Sequence, residues 1–323
     1  MLDSYGRNIE YMRLSITDRC NLRCRYCMPN GIQCTSHGEI LSYEEILRLC
    51  RIAVSLGIDR FKITGGEPLV RPNCTGFVKA LKAMEGVRQV TITTNGLLMR
   101  ENLEGLIDAG IDCVTFSLDS LRDDCFNRIT GHKGPAVEGL LDSLGACCRA
   151  GIRTKVNTVL LEENLEEIPA LARLAETRPI DVRFIKLMPI GFGAEMKRVS
   201  PDTAFSLLRQ LWPDLHPTNE KRGNGPARHY ESRSLLGKIG FIDAVSHKFC
   251  SGCNRVRLTS TGRFKPCLCY DAGADLRALL RGGSTDDAVR ETMGRWIGRK
   301  PAGHCFDTLE SITERKTMSQ IGG

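Results

Sequence analysis

Between residues 12 and 188, short apolar runs alternate with segments whose hydrophobic positions recur at helical spacing. The runs are MRLSI (12–16), RFKIT (60–64), QVTITT (89–94), CVTFSL (113–118), TKVNTVL (154–160) and DVRFIKLM (181–188). Runs this short and this rich in Val, Ile, Thr and Phe predict parallel strands covered on both faces. Between them, Ser42 followed three residues later by Glu45 forms a capping box and opens an amphipathic stretch that ends at Gly57. Gly86, Gly110 and Gly151 stand where later helices should stop, as left-handed cap residues do. Six β–α repeats fit either a doubly wound sheet or a partial (β/α) barrel, and periodicity does not choose between them. Past residue 188 the rhythm breaks. GPARHY (225–230) precedes short alternating strands near Lys238 and Asn254, then helices over 274–281 and 285–299. A transition near residue 215 divides the chain into a larger part, 1–215, and a smaller one, 216–323.

The cysteines add chemistry to this outline. There are 15 in 323 residues; a compartment that keeps thiols reduced argues against a disulfide framework, and metal ligation is the expectation for those at short regular spacing. Cys20, Cys24 and Cys27 form C-x3-C-x2-C directly after the first strand. Three thiolates on one tight loop can hold three corners of an iron–sulfur cube. Zinc would want a fourth ligand, for which only Cys34 or His37 is near. Cys250, Cys253 and Cys267 form a second set, C-x2-C-x13-C. Here zinc, with His247 or Cys269 as fourth ligand, stays open on spacing alone. Cys34, Cys50, Cys113, Cys147, Cys148, Cys305 and the remaining cysteines lack ligand register and read as buried small hydrophobes or incidental thiols.

Charge narrows the partners. The net charge of +7 suits a polyanion, either nucleic acid or a phosphorylated small molecule. No groove-reading motif or basic stripe with interleaved aromatics favours nucleic acid. There is no P-loop, and GFG at 191–193 lacks the third glycine of a dinucleotide fingerprint. No apolar run reaches membrane-spanning length, and the amino terminus shows no leader pattern, so a cytoplasmic protein is expected.

C-x3-C-x2-C with Tyr26 before its last cysteine, followed by GGEP at 65–68, resembles the signature of the radical S-adenosylmethionine (SAM) superfamily. CNRVR (253–257) is similar to the C-N-R-x-R segment of one of its families, the GTP 3′,8-cyclases of molybdenum cofactor biosynthesis. The resemblance extends through RLSITDRCN (13–21), ITGGEP (63–68), TTNG (93–96), SLDS (117–120), KVNTVL (155–160), RFIKLMP (183–189) and the terminal IGG. It implies a partial (β/α)6 barrel of TIM-like type, with a smaller C-terminal α+β part binding a second cluster. It also implies two [4Fe–4S] clusters, one on Cys20, Cys24 and Cys27 and the other on Cys250, Cys253 and Cys267. SAM would meet Tyr26, Gly66, Ser117 and Met188. GTP would meet Arg13, Lys62, Thr93, Lys155, Arg255 and Arg257, with Gly322 and Gly323 reaching into the active site.

The implied reaction is radical abstraction of hydrogen from ribose carbon 3′ and attack on guanine carbon 8. The product is (8S)-3′,8-cyclo-7,8-dihydroguanosine 5′-triphosphate. A homodimer, an electron donor and a downstream cyclic pyranopterin monophosphate synthase are the implied partners. Two positions depart from the family. Lys62 stands where Arg is common and lacks its bidentate fork, and Lys186 stands where an acidic residue is common. The nearest rival is a radical SAM enzyme with an auxiliary cluster that modifies a peptide.

Overall fold

The computed structural model describes residues 1–31, 35–220 and 222–322. All six expected strands form: β1 (Tyr11–Ser15), β2 (Arg60–Thr64), β3 (Gln89–Thr94), β4 (Cys113–Ser117), β5 (Arg153–Leu160) and β6 (Asp181–Lys186). Each pairs in parallel with the next. Between and after them lie α1 (Tyr43–Ser55), α2 (Cys74–Lys82), α3 (Met99–Asp108), α4 (Asp123–Thr130), α5 (Val137–Arg149), α6 (Ile168–Ala172), α7 (Leu174–Thr177) and α8 (Pro201–Leu211). The capping box is formed: Ser42 Oγ accepts from the Glu45 amide at 3.1 Å, and Glu45 accepts from the Ser42 amide at 2.7 Å. Gly86, Gly110 and Gly151 have φ of 82°, 69° and 73°, the left-handed values their positions predict.

The rest of the chain completes the same sheet. It contributes β7 (His216–Thr218), β8 (Arg228–Glu231), β9 (Lys238–Ile242), β10 (Arg255–Leu258), β11 (Arg263–Lys265) and β12 (Ala274–Asp275), then α9 (Leu276–Arg281), α10 (Asp286–Gly298) and α11 (Met318–Ile321). Strand β9 adds in parallel to β6, and β10 adds in parallel to β1, so strands consecutive in sequence lie at opposite ends of the parallel arc. The segment joining them, residues 243–254, must therefore cross from one end of the arc to the other. It carries Cys250 and Cys253. Pairing runs without a break past residue 215. This is a partial barrel.

The two faces of the strands differ in a way the apolar runs conceal. Met12, Leu14, Phe61, Ile63, Val90, Ile92, Val114, Val182 and Phe184 point outward and are fully buried in the core. Their alternates, Arg13, Lys62, Thr91, Thr93, Thr115, Lys155 and Arg183, point inward to a cavity. Both faces are covered, as expected of parallel strands, but the inner one is polar and cationic.

Candidate functional site

The cavity inside the arc has a volume of about 380 Å³ and is lined by both cysteine triads. Every described residue named above for cluster, SAM or GTP contacts lines it, apart from Gly322. The triads thus share one chamber.

Cys20, Cys24 and Cys27 lie on the loop after β1. The GGEP turn after β2 holds that loop by backbone contact: the Gly66 amide donates to Thr17 O and the Glu67 amide to Arg19 O, both at 2.8 Å. A Cβ at Gly65 would stand 2.5 Å from Thr17 O, and one at Gly66 would stand 2.3 Å from Arg19 O. These glycines serve close approach to the protein's own triad loop. Glu67 is buried and accepts from the Leu69 amide (3.0 Å), Thr94 Oγ1 (2.8 Å) and the Asn95 amide (2.6 Å). Burial raises its carboxyl to about 7 against the pull of those three donors. Asn95 in turn donates to Asn21 Oδ1 at 2.7 Å and lies 4.0 Å from Cys20 Sγ.

Behind Cys24 stands Asp119, a residue that sequence reasoning missed. It accepts from the Tyr26 hydroxyl at 2.6 Å and from the Val159 amide at 2.8 Å. Burial pushes its carboxyl up to about 6. Burial also raises all three thiols, Cys27 to about 12, and Cys24 is pushed further by Asp119 and its two sister thiols. The only signal for Asp119 in the sequence was its place just beyond a strand end, inside SLDS.

The second triad has the opposite surroundings. Cys250 and Cys253 flank one turn, with the Cys253 amide donating to Cys250 O at 3.1 Å, and Cys267 follows β11. Burial raises the Cys253 thiol, but Arg255 and Lys300 outweigh it and bring it down to about 7. For Cys267 burial prevails over Lys300, and the thiol is raised.

The candidates for a fourth zinc ligand stand elsewhere. His247 is exposed and does not line the cavity. Cys269 is buried, with its sulfur 3.3 Å from the Cys305 amide. His37 lies on the surface beside Arg19, and Cys34 falls outside the described residues. Among the described residues no three His, Cys, Asp or Glu side chains draw together around a single ion. The thiols of each triad are nonetheless close enough to raise one another's pKa. Ligands on separate corners of a cube stand farther apart than ligands on one ion, so three thiols and no fourth suit a cluster with one open iron.

Between the triads the cavity wall is basic. Arg13, Lys62, Lys155, Arg255 and Arg257 all face it, and so do Lys186, noted above as a departure from the family, and three cations not singled out from the sequence: Arg153, Arg183 and Lys300. The lining carboxylates are Glu67 and Asp119. Crowding is evident in the titration. Burial, then Arg183 and Arg13, hold Lys62 well below the usual lysine range, where its amine donates to Thr115 Oγ1 at 3.2 Å. Burial and Arg183 bring Lys155 to about 8 despite Asp181 at 3.2 Å, and burial with Arg13 and Arg255 brings Arg257 to about 9. Thr93 Oγ1, Asn157 Oδ1 and Arg183 Nε are buried without a hydrogen-bond partner on residues that line this wall. Such groups expect a ligand.

Lys186, one of the two departures from the family, has a carboxylate of its own in Asp243, 3.5 Å away on the crossing segment. Near the chain end, Met318 and Ser319 line the chamber, and Gly322 packs behind its wall. Arg257 Nη1 donates to Gly322 O at 2.7 Å, and Gly322, at φ 77°, fits so tightly that a Cβ would stand 2.8 Å from Ser15 Cβ. Gly323 falls outside the described residues. No helix among the described residues is long and apolar enough to cross a membrane.

Comparison with known proteins agrees with this geometry. The profile of the radical SAM superfamily matches residues 14–175, and that of the molybdenum cofactor synthesis C-terminal region matches residues 180–306. A GTP 3′,8-cyclase of Geobacter sulfurreducens is 42% identical over 329 residues, covering 100% of this chain and 99% of the relative. A GTP 3′,8-cyclase of Clostridium perfringens is 38% identical, covering 100% of both chains. Among solved structures, Streptococcus suis SuiB bound to S-adenosylmethionine has a TM-score of 0.67 at 13% identity, over 97% of this chain and 77% of that one. That likeness shows the fold.

Proposed function

The chain belongs to the radical SAM superfamily and, within it, to the GTP 3′,8-cyclase family, and from that premise we propose that the basic chamber binds GTP between two iron–sulfur clusters. The reaction is the cyclisation of GTP to 3′,8-cyclo-7,8-dihydroguanosine 5′-triphosphate, the first step of molybdenum cofactor biosynthesis. When bound, the cluster and SAM supply the radical chemistry that joins ribose carbon 3′ to guanine carbon 8.

The chain's own residues supply binding and orientation. Cys20, Cys24 and Cys27 would hold the SAM cluster, and Cys250, Cys253 and Cys267 a second [4Fe–4S] cluster. Tyr26, Gly66, Ser117 and Met188, which all line the chamber, would form the SAM-facing set. Arg13, Lys62, Lys155, Arg255 and Arg257 neutralise the triphosphate, where a guanidinium fork matches phosphate oxygens. Thr93, whose buried hydroxyl lacks a partner, turns to the nucleotide. We assign SAM binding to residues 1–215 and the second triad to residues 216–323, knitted into one sheet. Dimerisation, an external electron donor and a downstream synthase complete the proposal.

One observation carries this reading: among the described residues, nine cationic side chains and two carboxylates line the chamber that joins the two triads. A peptide-modifying relative would keep the thiols but has no need of so basic a wall. Anaerobic assay tests the choice directly. SAM cleavage should depend on GTP and yield the cyclised nucleotide, with about eight irons per chain and about four in each Cys→Ala triple. Cleavage indifferent to GTP, or a zinc-loaded protein without sulfide, would sink it.

A further inference from the structure

Lys300 follows α10 and is only 3% exposed. Its ammonium donates to two backbone carbonyls, Arg255 O at 2.7 Å and Pro266 O at 2.6 Å. These are the residues just inside the second triad, two beyond Cys253 and one before Cys267. It lines the same chamber wall as Cys250, Cys253 and Cys267. No carboxylate pairs with it among the described residues. The contrast with a neighbour is instructive. Lys265, on β11, is equally buried, and the fold gives it the buried carboxylate of Glu314. A buried ammonium is costly unless an opposite charge compensates it. For Lys300 the groups in reach that can carry such a charge are the thiolates.

The placement of Lys300 is itself enforced. Arg7, buried and paired with Asp3 at 2.6 Å, donates to Pro301 O (2.7 Å), Ala302 O (3.1 Å) and Cys250 O (2.9 Å). One guanidinium therefore ties the segment that bears Lys300 to the first cysteine of the triad. The amino-terminal turn, distant in sequence from everything it holds, fixes this lysine against the thiols.

We propose that Lys300 is the positioning residue and built-in counter-charge of the second cluster, hydrogen-bonded beneath Cys253 and Cys267 so as to favour the cluster's more negative, reduced state. The inference rests on the reading of a second cluster at Cys250, Cys253 and Cys267. A cation beside cluster thiolates makes electron uptake easier, so its removal moves the midpoint potential downward.

The test uses the full chain, reconstituted anaerobically with iron and sulfide, in a Cys20→Ala, Cys24→Ala, Cys27→Ala background that leaves only the second site. There Lys300→Met should shift the midpoint of the remaining cluster to more negative potential. It should also release iron to a chelator ~10–100-fold faster, as expected when an outer-shell partner of a metal site is lost. Lys300→Arg should restore both. An unchanged midpoint in Lys300→Met, or an Arg variant as perturbed as the Met one, would overturn the proposal in favour of a packing role. A background protein that takes up no iron and sulfide would overturn the second-cluster reading, and this inference with it. The two failures are therefore distinguishable.

Discussion

The two triads are the same chemical device in opposite electrostatic settings. Around Cys20, Cys24 and Cys27 the buried ionisable neighbours are Glu67 and Asp119, and all three thiols are pushed up. Around Cys250, Cys253 and Cys267 stand the half-buried Arg255 and the buried Lys300, and Cys253 is drawn down to about 7. The first setting suits the positively charged sulfonium and ammonium of SAM. The second suits a polyanion and a cluster that gains negative charge. Three cysteines alone do not decide what a cluster meets. The side chains behind them do.

That contrast predicts a largest effect at the basic end. Arg257 is buried, alternates with Arg255 on β10, faces Arg13 across the register and fixes Gly322 O. Arg257→Ala removes a proposed phosphate donor and loosens the chain end at once. Loss of one buried partner in a charged hydrogen bond costs about 2–5 kcal/mol, so kcat/KM for GTP should fall roughly 30-fold or more. Iron content should stay unchanged. Unaltered steady-state kinetics would break the assignment of charge roles to the two ends.

At the acidic end the expected loss is smaller and structural. Asp119→Ala leaves the Tyr26 hydroxyl and the Val159 amide without their acceptor. An abandoned buried donor costs about 1–3 kcal/mol, to be read in denaturant unfolding. SAM affinity should fall with it, while affinity for GTP should not.

Much of this contrast was legible in the sequence, for identifiable reasons. Cysteine spacing is local, so both triads could be found, and the six strands announced themselves because their outward residues are mostly apolar. What was hidden is long-range. Parallel pairing of β9 with β6 and of β10 with β1 joins residues far apart in the chain and leaves no local pattern. The polar inner face was masked because Thr, Lys and Arg interrupt apolar runs too briefly to break the strand reading. Asp119, Arg183 and Lys300 are single charged residues, ordinary in sequence and meaningful only once burial is known. The GGEP run was legible as part of a family signature. That its glycines approach Thr17 and Arg19 emerges only in three dimensions.

The comparison sharpens with pH at the basic end. Lys155 is brought down to about 8 from its ordinary 10.5. Below about 8 it is charged in both folded and unfolded chains, and the folded state bears the penalty of a buried cation. Between about 8 and 10.5 the unfolded chain keeps a proton that the folded chain has released, so stability rises with pH in that window. Triphosphate binding has the opposite trend, because it favours the charged lysine. The rise in Tm on adding GTP should therefore shrink between about pH 7.5 and pH 9. Lys155→Arg should flatten the dependence. For SAM, proposed to bind at the other triad, Lys155→Arg should leave the pH dependence unchanged.

The smallest effect is expected at the rim of the first triad, where charge is present but wet. Arg25 lies between Cys24 and Cys27 in sequence and pairs with Glu163 at 2.6 Å, with side chains 54% and 26% exposed. Solvent screens such a pair, and its contribution is about 0.2–1 kcal/mol, less in high salt. Glu163→Gln should therefore shift the unfolding midpoint barely, leave iron content intact and leave both GTP and SAM affinities unmoved. A large loss of cluster or of SAM binding in this variant would mean that exposed rim charges, rather than the buried carboxylates behind the thiols, set the character of the first triad. The contrast between the two ends would then have to be redrawn around the solvent-facing loop.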